Sequence, residues 1–79
     1  TTFYKLGRYQ EAVESYSKSI SFYPDKFYLY SKRGRAYQQL RIYDQAIVNY
    51  SKAIELNPQD SFSYNRRAES YHALTQFDK

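Results

Sequence analysis

The sequence predicts an all-α chain in which antiparallel helix–turn–helix units stack one upon another. Three observations carry this reading. The first is an offset of 34 residues that relates Pro24 to Pro58, Phe3 to Tyr37 and Tyr71, Leu6 to Leu40 and Leu74, and Tyr9 to Tyr43 and Phe77. The same offset relates Ala12 to Ala46, Tyr16 to Tyr50, Lys18 to Lys52, Ile20 to Ile54, Tyr30 to Tyr64 and Arg33 to Arg67. A fixed period of this size marks a solenoid, in which no unit can bury its apolar face alone. The second is that the repeated residues fall three and four apart within each period, the spacing of one helical face. The third is the scarcity of turn formers, with two Gly and two Pro in 79 residues, too few for a loop-rich or disordered chain.

The elements follow in order. A stub at residues 3–6 precedes Gly7, which suits the left-handed turn that closes many helices. A helix is expected over residues 10–22. The next runs over about 26–40, because Tyr30, Arg33, Gly34, Tyr37 and Leu40 trace one face. Asp25, just after Pro24, is placed to cap its first-turn amides. A third helix covers about 44–56 through Ala46, Ile47, Tyr50, Ala53 and Ile54, and Asn57-Pro58 should end it, since proline restricts the residue before it. A fourth covers about 61–74, capped by Asp60 or Ser61. Arg41 and Thr75 occupy the turn positions equivalent to Gly7. A left-handed backbone there costs each about 1 kcal/mol. The units are then 1–24, the end of one repeat, 25–58, a complete repeat, and 59–79, the start of another.

Composition narrows the function. The chain has no Cys, hence no disulfide and no thiolate metal site. That leaves the redox compartment open, with a cytoplasmic setting the simpler expectation. Eleven Tyr and five Phe suggest a core of rings with polar edges. The net charge is +4, but the twelve basic residues are spread along the chain rather than set in the dense run of a nucleic-acid site. Protein binding is therefore favoured over nucleic-acid binding. No stretch approaches the roughly 20 apolar residues of a membrane span. The chain starts without Met and both ends fall inside the period, so it is expected to belong to a longer protein.

From Tyr30 to Pro58 the order Tyr30, Gly34, Tyr37, Leu40, Tyr43, Ala46, Tyr50, Ala53, Pro58 resembles the tetratricopeptide repeat. The resemblance spans the whole chain. It implies a right-handed superhelix whose first helices line a concave face and whose second helices face outward. Small residues at Gly34, Ala46 and Ala53 would let the helices approach while rings fill the wider gaps. Where the family has Leu before the glycine, this chain has Arg33 and Arg67. The favoured reading lays each aliphatic stem on the core edge with its head in water; the alternative places both guanidinium groups in a ligand site. Ala68 takes the place of Gly34 in the last unit.

Carried onto this sequence, the concave face holds Tyr28, Ser31, Lys32, Arg35, Gln38 and Gln39 in the complete repeat. The next unit adds Phe62, Asn65, Arg66, Glu69, His72 and Ala73, and the stub adds Thr1, Tyr4 and Lys5. Tyr28 and Phe62 are equivalent aromatics outside the packing stripe, suited either to anchor a ligand or to cover the junction between repeats. Lys5, Lys32, Arg35 and Arg66, opposed by Glu69, make the groove cationic and favour an acidic segment or a C-terminal carboxylate. The family's carboxylate clamp is not expected. With Arg66 as its arginine, its lysine falls on Phe62 and its preceding asparagine on Lys32; with the complete repeat first, Ser31 and Arg35 replace its Lys and Asn.

No catalytic or cofactor chemistry is expected. His72 is the single histidine and has Glu69 as its one neighbouring carboxylate, short of the three protein ligands a catalytic zinc needs. No serine sits in a strand-to-helix elbow, and two distant glycines cannot build a phosphate loop. The leading functional expectation is a protein-interaction module within a scaffold or adaptor, gripping a peptide in the groove through Tyr28, Lys32, Arg35, Gln39, Phe62, Asn65, Arg66, Glu69 and His72. The alternative is a segment that stacks with, or exchanges helices with, copies of itself. RNA binding by a helical array is a weaker third.

Overall fold

The computed structural model describes the backbone of residues 2–77 and the side chains of residues 7–76. Four helices follow one another: α1 (Thr2–Phe22), α2 (Phe27–Gln39), α3 (Tyr43–Leu56) and α4 (Ser61–Phe77). Successive helices pack against each other, and α2 also touches α4. The result is a slab of 35 × 26 × 15 Å, a stack of antiparallel helices with no strand among the described residues. None of these helices is long and apolar enough to cross a membrane.

The core lies where α3 is held between α2 and α4. Ala46, Tyr50 and Ala53 are each 0% exposed, and Tyr30 and Ala36 are buried beside them. Gly34 is the point of closest approach. A Cβ built there would lie 3.1 Å from the Tyr50 ring and 3.2 Å from the Ala46 carbonyl oxygen, so even one methyl would force the helices apart by a few tenths of an ångström. The small residues singled out in the sequence do bring the backbones together.

The α2–α3 turn forms as expected. Arg41 has φ 64°, the one positive φ of a described non-glycine residue. The Ile42 amide donates to the Tyr37 carbonyl and the Arg41 amide to that of Gln38, the bond pair that closes a helix through a left-handed residue. At the other boundary, Asn57 caps α3 in extended geometry (φ −143°, ψ 90°), as its proline neighbour requires.

Three expectations at helix ends are corrected. Gly7 does not break the chain: α1 runs through it, and no glycine has positive φ. A one-turn stub would bear the nucleation cost of a helix for almost no hydrogen bonds, whereas continuing through one glycine costs only about 1 kcal/mol. The stub residues Phe3, Tyr4, Lys5 and Leu6, whose repeat and groove roles were expected, lie outside the described side chains, as do Thr1 and Phe77. Thr75 likewise stays helical, its hydroxyl donating to the Tyr71 carbonyl at 3.0 Å. Asp25 does not cap α2. The N-cap is Lys26, without a side-chain cap bond, while the Tyr30 hydroxyl donates to the Pro24 carbonyl and ties the turn down from inside. At α4, Asp60 stands at the expected cap position: its carbonyl accepts from the Tyr64 amide at 3.4 Å and its carboxylate from the Ser63 hydroxyl at 2.5 Å.

These backbone findings give one paired expectation. Arg41→Gly should raise stability by about 0.5–1 kcal/mol, the relief of a left-handed side chain less the added freedom of the unfolded chain. Gly7→Ala should also stabilise, by about 0.5–1 kcal/mol, because a Cβ at Gly7 meets nothing within 4 Å. Thermal unfolding followed by circular dichroism reads both. A loss of helix in Gly7→Ala would place a turn at Gly7 after all.

The arginines that replace the expected leucine do something neither sequence reading foresaw. Arg33 Nε donates to Asn49 Oδ1 at 2.6 Å, and its Nη1 donates to Ser17 Oγ at 3.1 Å. Arg67 Nη1 donates to Ser51 Oγ at 3.1 Å. Ser17 and Ser51 are themselves 34 residues apart, so the latch from each first helix to the preceding second helix repeats with the period. Each guanidinium also lies over the ring three residues before it, Arg33 on Tyr30 at 5.7 Å and Arg67 on Tyr64 at 5.5 Å. The heads are neither free in water nor turned to a ligand; they tie neighbouring repeats together.

Candidate functional site

α2 and α4 lie side by side as equivalent first helices, and the space between them forms an open cleft of about 340 Å³. Arg35, Gln38 and Gln39 line it from α2, and Arg66, Glu69 and Ala73 from α4, with Tyr43 at the end of the turn between α2 and α3. The helical spacing puts these side chains on one face: 35, 38 and 39 on α2, and 66, 69 and 73 on α4, recur at three and four. A second cleft of about 220 Å³ lies between α1 and α2, where Tyr9, Ala12 and Tyr16 face Lys32 and Arg35. Arg35 borders both.

A chain of hydrogen bonds organises the main cleft from the core outward. The Tyr50 hydroxyl donates to Gln38 Oε1 at 2.8 Å, and Gln38 Nε2 donates to Glu69 Oε1 at 3.2 Å. Arg66 Nη1 closes on the same carboxylate oxygen at 3.0 Å. Burial pushes the Tyr50 phenol well above its ordinary range, against a smaller opposing pull from the Arg66 and Arg35 charges. The hydroxyl therefore stays a donor at neutral pH, which fixes the Gln38 amide with its nitrogen toward Glu69. Among the described residues no hydrogen bond or ion pair engages Arg35, which is exposed. Arg66 is held by Glu69, and Lys32 lies 6.0 Å from the Tyr28 ring centroid.

Of the residues expected on the concave face, Arg35, Gln38, Gln39, Arg66, Glu69 and Ala73 are brought together in the main cleft, and Lys32 joins Arg35 in the smaller one. Phe62 sits edge-on to Tyr50 with ring centroids 6.4 Å apart, and Arg66 lies 5.2 Å above its ring. It covers the junction between repeats while remaining 38% exposed. Tyr28 is 45% exposed, stands edge-on to Phe27 at 5.8 Å and lines neither cleft. Asn65 and His72 are exposed and also lie outside both linings; the His72 ring nitrogen pairs with Gln76 Nε2 at 3.0 Å.

Ser31 is corrected. It was expected on the groove surface, but it is 5% exposed, its hydroxyl bonded to the Tyr28 carbonyl at 3.0 Å. A serine that bonds back to its own helix can be buried at little cost. Ser70, 0% exposed, does the same with the Arg66 carbonyl, and Ser63, also 0% exposed, donates to the carboxylate of Asp60 just before α4. The equivalence of Ser70 to Ala36 was a signal that could have found one of them, since both positions admit only a small side chain. Tyr43 was read as packing alone, yet it also borders the cleft.

Three family models cover the chain between them. One described as TPR repeat matches residues 2–40, and two described as Tetratricopeptide repeat match residues 27–60 and 49–79. The middle match begins at the first residue of α2 and carries the α2–α3 pair through to the turn before α4. No curated protein matches the chain.

Proposed function

The chain belongs to the tetratricopeptide-repeat family, whose repeats are generally protein-interaction modules, and from that premise we propose that it grips a short acidic segment of a partner protein in the cleft between α2 and α4. The observation that carries this reading is Arg35, an exposed guanidinium with no hydrogen bond or ion pair among the described residues, placed where both clefts meet. Arg66 on the opposite wall supplies a second cation, and the net charge of +4 adds a favourable long-range field. Gln38 and Gln39 offer amide donors and acceptors to the peptide backbone, and Phe62, beside Arg66, an exposed ring edge. The clamp residues of the family's carboxylate-binding members are replaced here by Phe62 and Lys32, so the partner is read by charge along a stretch rather than by a terminal carboxylate. Such a module works as part of a scaffold or adaptor.

Titration of acidic peptides followed by fluorescence anisotropy tests this. Arg35→Glu and Arg66→Glu should each weaken binding by about tenfold, ~1.4 kcal/mol, with helical content unchanged. Glu69→Gln should strengthen it a few-fold, because it frees Arg66 and removes the one carboxylate in the lining. Tyr28→Ala, at a ring outside the cleft, should have less effect than either arginine change. Binding untouched by both arginine reversals would rule out this groove.

A further inference from the structure

A carboxylate of the chain itself already sits in the cleft between α2 and α4. Glu69 Oε1 accepts from Gln38 Nε2 on α2 at 3.2 Å and from Arg66 Nη1 on α4 at 3.0 Å, so one oxygen spans both walls. The amide donor is set from the core. Tyr50, 0% exposed, donates its hydroxyl to Gln38 Oε1 at 2.8 Å, and burial keeps that phenol protonated. With Oε1 engaged, the Gln38 amide turns its nitrogen to the cleft. Arg66 commits only Nη1 to Glu69; its Nε and Nη2 make no hydrogen bond among the described residues. The Arg66 and Glu69 side chains are 38% and 54% exposed, and ion pairs of that exposure are weak. Glu69 is the one carboxylate in the cleft lining. The repeat offset pairs it with Arg35, so packing does not require an acid at this register.

We propose that Glu69 is an internal stand-in for the partner: the seat made by Gln38 Nε2 and Arg66 takes a side-chain carboxylate, Asp or Glu, of the bound segment, and Glu69 turns out to solvent as it enters. Tyr50 is the positioning residue, holding the seat's amide donor outward from a place no ligand reaches. This rests on the groove reading above and goes beyond it by naming where an acidic side chain sits and what it displaces. The exchange is one carboxylate for another. Both seat hydrogen bonds are remade, and what is lost is the weak contact of Glu69 itself. Glu69 therefore lowers affinity and also sets specificity. A neutral amide gives Arg66 a weaker bond than the carboxylate already there, because charge-assisted bonds are the stronger kind. An ionised side chain can win the exchange and an Asn or Gln cannot.

NMR titration with hexaglutamate, acetylated and amidated so that it carries no terminal carboxylate, tests this. In wild type the probe should move the Gln38 side-chain amide and Arg66 Nε–H signals together, with one affinity. Glu69→Gln should raise that affinity about threefold to fivefold. Adding Tyr50→Phe to Glu69→Gln should lower it about threefold, because the freed amide can turn its oxygen into the seat. In otherwise wild-type protein, Tyr50→Phe should change it by less than about 1.5-fold, since it loosens Glu69 and the probe alike. A Tyr50 that served packing alone would weaken the probe equally in both backgrounds, and that result overturns the proposal. So does binding that leaves the Gln38 and Arg66 signals in place; if Arg35→Glu still weakens such binding, the cationic groove stands and only the seat is lost. A probe that binds neither wild type nor Glu69→Gln overturns both readings. The last arm is acetylated hexaglutamine with a free C-terminus. Seat signals moved by it and not by the capped hexaglutamate would give the seat to a chain terminus and overturn the side-chain assignment.

Discussion

Tyr50→Ala is expected to lower stability by about 3–5 kcal/mol, the range for deleting a large ring from a packed core. The ring is 0% exposed and serves two interfaces at once. On the α2 side it fills the space that Gly34 leaves, and on the α4 side it meets the edge of Phe62 at 6.4 Å. Its hydroxyl then reaches out to Gln38 and organises the cleft. Alanine would leave a void between three helices that share no other central ring of this burial. A chain of 79 residues has a total stability on the order of 4–12 kcal/mol, so this one change removes a large part of it. The melting midpoint should fall by at least about 15 °C, at roughly 4–8 °C per kcal/mol. Tyr50→Phe separates packing from hydrogen bonding: it keeps the ring, removes the bond to Gln38, and should cost only about 0.5–1.5 kcal/mol. A mild Tyr50→Ala would mean that the helices do not close on this ring.

Arg33→Ala should cost about 2–3 kcal/mol, and Arg67→Ala less, about 0.5–1.5 kcal/mol, although the two arginines are equivalent by sequence. The difference comes from Asn49, which is 3% exposed and accepts the Arg33 Nε bond at 2.6 Å. Without Arg33 that buried amide oxygen has no partner, whereas Arg67 leaves behind only the half-buried Ser51 hydroxyl. Replacing both members, Arg33→Leu with Asn49→Leu, should recover most of the loss, because matched apolar groups need no bonds. Urea unfolding midpoints of the four proteins decide it. Equal losses for Arg33→Ala and Arg67→Ala would show that Asn49 does not depend on the latch.

The architecture was legible because packing in a repeat is periodic and so leaves a periodic trace. Tyr30, Gly34, Ala46, Tyr50 and Ala53 were identified by spacing, and they are the buried residues around which α2 and α3 close. Arg41 was also legible, as the residue facing a left-handed turn between two long helical runs. Gly7 was read as a turn residue and Thr75 as its equivalent, and at both positions the helix continues. Of the cleft, helical spacing placed Arg35, Gln38, Gln39, Arg66 and Glu69 on one face. It could not place Ser31, whose hydroxyl turned back to its own helix and let the residue be buried.

The sequence by itself determined the helical repeat, the α2–α3–α4 boundaries to within a residue or a few, and Tyr30, Gly34, Ala46, Tyr50 and Ala53 as residues that close the core. Each of these depends on neighbours along the helix or one fixed period away. Only the tertiary structure decided what the polar side chains do. It turned Arg33 and Arg67 into latches between repeats, tied Glu69 to Arg66 and Gln38, and left Arg35 without such a partner among the described residues. The physical reason is range. Apolar burial is set by which face of a helix a residue occupies, whereas a hydrogen bond is set by where a donor and an acceptor from different helices come within about 3 Å of each other.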